Sequence, residues 1–214
     1  MKSSKLGRKS SAVLLIAGSI LFCWPAGAQP EKSPLNKSKQ DNWKPDAGFE
    51  SLFDGSTLNG WCYRDKTGEV LESFDGKTAS SDGRYSAGNG ILTVNYPKGA
   101  ERLVQKSWTL RKFPKNFILK IEFRASKQAD SGIFLRGPQL QCRDYVTVGP
   151  YTNLKNYHPQ DWNQIIVTVK DNVAHCECNG EVLEDALKLP ETGPIGLEGD
   201  RGQMEYRHIE IKEI

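Results

Sequence analysis

The sequence predicts an all-β protein, an antiparallel β-sandwich of the jelly-roll kind. From Phe49 onward the chain is a succession of short segments in which apolar and polar residues alternate, each ended by Gly, Asn, Asp or Pro. Two polar dipeptides, Asp171-Asn172 and Asn179-Gly180, separate three such segments, and Asn-Gly suits a type I′ hairpin because both central residues must accept positive φ. No long stripe of apolar residues at helical spacing interrupts the series. So many half-apolar strands need a second sheet to cover them.

Taken in order, strands are expected over residues 50–53, 91–95, 103–105, 117–124, 132–135, 139–143, 162–170, 173–178, 181–183, 193–198 and 204–213. Those between 162 and 183 form a meander. In the strand from 117, Phe117, Leu119, Ile121 and Phe123 share one side while Lys120, Glu122 and Arg124 share the other, because strand side chains alternate. A Ser-Gly corner then leads to Arg136 and to Gln139 and Gln141, which share a face. The expectation is one polar sheet face carrying Glu122, Arg136 and Gln141. Near the C-terminus Met204 and Tyr206 have one parity and Ile209 and Ile211 the other, which predicts a bulge at Arg207-His208.

The N-terminal segment reads as targeting rather than fold. Lys2, Lys5, Arg8 and Lys9 precede an apolar run from Ala12 to Trp24 and a small-residue Ala26-Gly27-Ala28 site, the pattern of a secretory signal peptide over residues 1–28. The run is short for a membrane span, which needs about 20 apolar residues. Residues 29–48 are rich in Lys, Pro, Ser, Asn and Gln and read as a flexible leader, with Trp43 as a candidate docking point. A single domain, 49–214, follows, and export to a periplasmic or extracellular space is expected.

Cleavage after Ala28 removes four of the 29 basic residues and none of the 26 acidic ones, leaving a net charge of −1. That gives no basic surface for nucleic acid. Cys62, Cys142, Cys176 and Cys178 remain; one or two disulfides, in any of three full pairings, and buried free thiols are both open.

Several motifs together resemble a known family. LFDGSTLNGW (Leu52 to Trp61), FILKIEFR, DSGIFLRG (Asp130 to Gly137), DWNQIIVTVKDN and GPIGLEGDRGQMEYRHIEI occur in the order found in the 3-keto-disaccharide hydrolases, and the resemblance spans nearly all of residues 49–214. It implies a concanavalin- or laminin-G-like jelly roll and hydrolysis of glycosides whose sugar was first oxidised at C3 by a separate oxidoreductase. The implied chemistry is removal of the C2 proton, elimination of the C1 substituent and hydration. The same scaffold also suits a non-catalytic carbohydrate-binding module.

Such a reaction needs a base near C2, an acid at the leaving oxygen and donors at the C3 oxygen, where enolate charge develops. Arg136, Glu122 and His158 are the expected catalytic groups, as a fixed guanidinium, a strand carboxylate and a titrating imidazole in the long loop 148–160. Lys120, Gln139, Gln141, Asp144, Tyr145, Glu198 and Arg201 are the expected substrate-binding set. Five have a structural alternative: an ion pair for Arg136, a cross-strand charge for Glu122, a surface residue for His158, turn formation for Asp144 and packing for Tyr145. Family members often carry Glu at the position of Gln139, so this chain departs there. The oxygen-rich GLEGDRG segment suits calcium better than a transition metal but matches no strict calcium motif, so no metal ligand and no cofactor are assigned. Trp61, Trp108 and Trp162 are assigned to packing.

Overall fold

The computed structural model describes Leu35 and residues 42–96, 102–114 and 116–214. The signal peptide and most of the leader lie outside the described residues. Among the described residues, fourteen strands form two antiparallel sheets packed face to face. The eight-stranded sheet runs β12 (Glu181–Lys188), β11 (Val173–Cys178), β10 (Asn163–Lys170), β7 (Phe117–Ala125), β14 (Met204–Glu213), β5 (Ile91–Val94) and β4 (Tyr85–Gly88), with β1 (Glu50–Ser51) also on β14. The six-stranded sheet runs β3 (Val70–Ser73), β2 (Trp61–Arg64), β6 (Gln105–Thr109), β13 (Ile195–Gly199), β8 (Asp130–Leu135) and β9 (Gln139–Arg143).

The alternation read from β7 builds the core: Phe117, Leu119, Ile121 and Phe123 are fully buried against Ile133, Leu135, Leu140, Ile195 and Leu197 of the other sheet. Each such side chain contributes about 1.5–3 kcal/mol by leaving water. Hydroxyls cross the core as well. Tyr85 Oη donates to the Leu197 carbonyl at 2.9 Å, and Ser131 Oγ donates to the Glu198 carbonyl at 2.6 Å while meeting Tyr206 Oη at 2.9 Å.

Both expected hairpins form: Asp171 and Asn172 have φ of 50° and 60°, and Asn179 and Gly180 have 49° and 80°. Asn89-Gly90 (53° and 80°) turns β4 into β5 in the same way. The bulge also falls where parity placed it, with the β14 register against β7 shifting between Arg207 and Glu210 and His208 at φ 49°. Strands β2, β3 and β4 were not anticipated, and β6 lies at 105–109 rather than 103–105.

Two further readings are decided. The four remaining cysteines are buried free thiols, inside the core or under a sheet face. The end of the leader docks at the expected residue: Trp43 stacks on His208 with ring centroids 4.7 Å apart, and the Asp46 amide donates to Glu210 Oε2 at 2.7 Å.

Candidate functional site

The turn between β7 and β8 is short enough for a hairpin, yet the two strands lie in different sheets. Ala129 N donates to the Ser126 carbonyl at 2.9 Å, Gln128 takes φ 63°, and Gly202 packs so closely on Ala129 that an added Cβ would lie 2.8 Å from its Cα. The chain therefore crosses from one sheet to the other at this corner. The outer face of β7 and the outer face of β8 and β9 look in opposite directions, so the expected common face of Glu122, Arg136 and Gln141 does not exist.

On the eight-stranded side the polar residues are occupied by one another. The bulge puts Arg207 and His208 on the same side, and both approach Glu122 Oε2, at 2.7 and 3.3 Å. Burial pushes the Glu122 carboxyl up, but the bonds from His208 and Arg207 outweigh it and hold it below the usual range. Lys120 pairs with Asp46 and Glu210, and its ammonium lies 4.3 Å from the Phe49 ring centroid. Arg124 forms a buried pair with Glu205, and Trp162 meets the guanidiniums of Arg124 and Arg207 at 4.8 and 4.1 Å.

Other expected residues are also placed elsewhere. Arg136 has φ 55° and turns its guanidinium toward the end of the sandwich, where Nη1 donates to Asn172 Oδ1 at 2.9 Å and to the Pro190 carbonyl at 3.1 Å. Asp144 is buried and accepts from the Gln128 amide and Thr147 Oγ1, tying two turns together. Tyr145 is a core ring whose hydroxyl donates to the Gln141 carbonyl at 2.6 Å. His158 is exposed in the loop that precedes β10, with Nδ1 3.3 Å from the Trp162 carbonyl.

The outer face of the six-stranded sheet does collect chemistry. Strand register lines up one row of Cys62, Trp108, Gly196, Phe134 and Gln139, and a second row of Lys106, Glu198, Gly132 and Gln141. Rows on one face are two residues apart along each strand, about 7 Å, close to the width of a sugar ring. Both rows contain a glycine that makes room for a neighbour. An added Cβ at Gly196 would lie 2.6 Å from the Trp108 ring, so the indole lies across the backbone there, edge-on to Phe134 with centroids 5.5 Å apart.

The second row is polar and unfinished. Glu198 is 8% exposed; Gln139 Nε2 donates to its Oε2 at 2.7 Å, while Oε1 receives nothing from the described residues. Burial, with Asp200 and Asp130 nearby, raises its carboxyl above the ordinary range against the opposing pull of Lys106 and Gln139. Lys106 sits over the Phe134 ring, its ammonium 4.1 Å from the centroid, with no hydrogen bond or ion pair to the described residues. Gln141 Oε1 is buried without a hydrogen-bond partner among the described residues.

A charged rim closes one end. Asp130 accepts from Arg201 at 2.6 Å and faces Arg143 at 3.2 Å, and Arg102 Nη2 donates to Asp200 Oδ2 at 2.7 Å. Arg84 braces it from below, donating to the Asp200 and Leu103 carbonyls. Of the expected binding residues, Gln139, Gln141, Glu198 and Arg201 meet here. Lys106, Trp108, Asp130, Phe134 and Arg143 were missed; reading QKSWT as a strand would have put Lys106 and Trp108 on one side.

Two shallow cavities, of about 320 and 270 Å³, flank residues 51–54 instead. Their charged groups are engaged, Asp54 by Ser56 and Thr57, and Arg111 by Glu50 and Glu213. The open sheet face is the better candidate for chemistry.

Residues 48–212 match the model of the 3-keto-alpha-glucoside-1,2-lyase-like domain, which covers this whole face. The chain belongs to that family. A carbohydrate substrate is what membership of the 3-keto-alpha-glucoside-1,2-lyase-like family implies. Among curated proteins, none matches the chain. Two solved proteins of Parabacteroides distasonis that carry the provisional description glycosyl hydrolase share the fold. One is 15% identical, covering 78% of this chain and 94% of its own, with a TM-score of 0.58; the other is 17% identical, covering 78% and 99%, with a TM-score of 0.53. Among the described residues no helix is long and apolar enough to cross a membrane.

Proposed function

We propose that this protein cleaves glycosides, disaccharides among them, whose sugar carries a ketone at C3, and that a separate sugar oxidoreductase installs that ketone. The observation that carries the reading is the register of Glu198 opposite Lys106 on the β6 and β13 ladder: a carboxyl raised by burial with one oxygen open among the described residues, opposite an ammonium with no ion pair to them. A base of raised pKa and an available cation are what enolate formation requires.

In this reading the Trp108 ring takes the apolar face of the sugar, and Gln141 and the rim arginines take hydroxyls. Glu198 Oε1 removes the proton at C2, and the electron pair moves onto the C3 oxygen, where Lys106 balances the charge. Re-formation of the carbonyl expels the C1 oxygen, which leaves with a proton, and gives an enone. Water then adds at C1 and a proton returns to C2, so the net change is hydrolysis. The route differs from ordinary glycoside hydrolysis, in which two carboxylates flank an oxocarbenium-like centre. Periplasmic or extracellular placement, suggested by the charged and apolar N-terminal segment, belongs to the same proposal.

Incubation with a 3-keto-disaccharide tests it, with mass spectrometry for released 3-keto-glucose. Turnover that is lost in Glu198→Gln supports the reading, and an unchanged Glu198→Gln rate rejects it. The aromatic row favours a second reading, a binding module without turnover; binding of unoxidised glycans with no cleavage of any keto sugar would select that one.

A further inference from the structure

Gln139 does not stand opposite Glu198. The residue lies in the neighbouring row, two strands away, and its side chain leans diagonally across residue 132 to reach the carboxylate. Residue 132 is glycine, and an added Cβ would stand 2.2 Å from Gln139 Nε2 and 2.6 Å from its Cγ. The gap at Gly132 is therefore the path of the amide. The same amide nitrogen lies 3.5 Å from the Ser131 carbonyl, a second acceptor that orients it as a donor toward Glu198.

We propose that Gln139 and Gly132 form a positioning device for Glu198: the amide passes through the glycine gap, pins Oε2, and leaves Oε1 aimed off the sheet for the substrate. The proposal rests on the reading of Glu198 as the base. A carboxylate free to rotate would present either oxygen at many angles, and a misplacement of about 1 Å at a reacting atom costs up to about 100-fold in rate. The nature of the donor matters as well as its place. The groups acting on Glu198 are Lys106 from β6, Asp130 from β8, Gln139 from β9, Asp200 from just beyond its own strand, Arg102 from just before β6 and, from the core side, the Tyr85 hydroxyl of β4. The two aspartates are held by Arg143, Arg201 and Arg102, so the neutral amide adds a hydrogen bond without adding a further negative charge. A carboxylate in the amide's place would share one proton with Glu198.

Three variants test this: Gln139→Leu, Gly132→Ala and Gln139→Glu, with Glu198→Gln to assign the carboxyl signal. Carbon-13 NMR titration of the glutamate carboxyls reads Glu198 without any substrate. Steady-state kinetics on a 3-keto-disaccharide read the consequence. Gln139→Glu is expected to move the Glu198 titration upward and to carry the acidic limb of the kcat profile with it. Gln139→Leu and Gly132→Ala are each expected to lower kcat about 10- to 100-fold with KM little changed. Their combination should be no worse than either alone, because both break one contact. A Glu198 titration unmoved in Gln139→Glu, or additive losses in the double variant, would overturn the positioning role. Should Gly132→Ala fail to fold, the two Gln139 variants decide it. If the titration moves as expected while the wild-type protein cleaves no keto sugar, the proposed reaction falls and the Gln139 to Glu198 coupling stands.

Discussion

Lys106 and Glu198 face each other as register partners on β6 and β13, one row from Trp108 and its partner Gly196. A cation with no ion pair among the described residues, a carboxyl with one oxygen left open by them and a flat aromatic edge thus share one sheet face. Glu198→Gln is expected to cut keto-glycoside turnover at least about 100-fold. It should also stabilise the fold at neutral pH by on the order of 1 kcal/mol. A carboxyl raised in the folded state holds its proton more tightly there, so its contribution is intact at low pH and lost as pH rises through the folded pKa. Thermal melts of wild type and Glu198→Gln at pH 4 and pH 7 check this, with the gap wider at pH 7.

Lys106→Met keeps a side chain of similar length and removes the ammonium that lies over Phe134. The expected result is a fall in kcat of about 10²- to 10³-fold, with thermal stability close to wild type. A variant as active as wild type would show that the enolate charge is met elsewhere.

Arg136→Ala is expected to act on stability. It removes donors to Asn172 Oδ1 and the Pro190 carbonyl. The cost is about 1–3 kcal/mol. Chemical denaturation gives the loss, and the kcat of the folded fraction should stay within about two-fold of wild type.

Glu122→Gln should weaken the protein at neutral pH by about 1–3 kcal/mol, because Arg207 and His208 lose a charged partner. Glu122 is depressed in the folded state, so its contribution is complete above the ordinary carboxylate range and disappears as pH falls through the folded pKa. Stability curves of wild type and variant should therefore converge at acid pH.

Cys62, Cys142, Cys176 and Cys178 should resist a thiol reagent in the native protein and react on unfolding without prior reduction. Burial lifts Cys142 well above the ordinary thiol range and pushes Cys176 and Cys178 up to about 12, which keeps the reactive thiolate scarce.

Local physics in the sequence was a good guide to local structure. The parity of Phe117 to Phe123, the hairpins at Asn172 and Asn179 and the bulge at His208 all depend on neighbours within a few residues, and all formed. Which sheet a strand joins depends on partners far along the chain. A short turn between β7 and β8 reads as a hairpin, and the close packing of Gly202 on Ala129 that sends β8 to the other sheet comes from residues more than 70 positions away. Strand β6 was displaced because QKSWT has no aliphatic residue to mark it, although its alternation is intact. Arg136 looked functional because it follows a strand closely, and the positive φ that turns it away has no signature in residue type. Gln139, Gln141, Glu198 and Arg201 were legible as polar residues on strands or glycine-rich turns, but the rows that unite them come from long-range register.

The stack of Trp43 on His208 has a bearing on geometry beyond the domain itself. It brings the polypeptide onto the sandwich from behind the eight-stranded sheet, with Asp46 and Phe49 continuing along that side. Glu198 opens on the far side. The side on which the chain enters is thus opposite the side on which Glu198 opens, so a tag or module joined ahead of residue 42 would leave the Glu198 face clear.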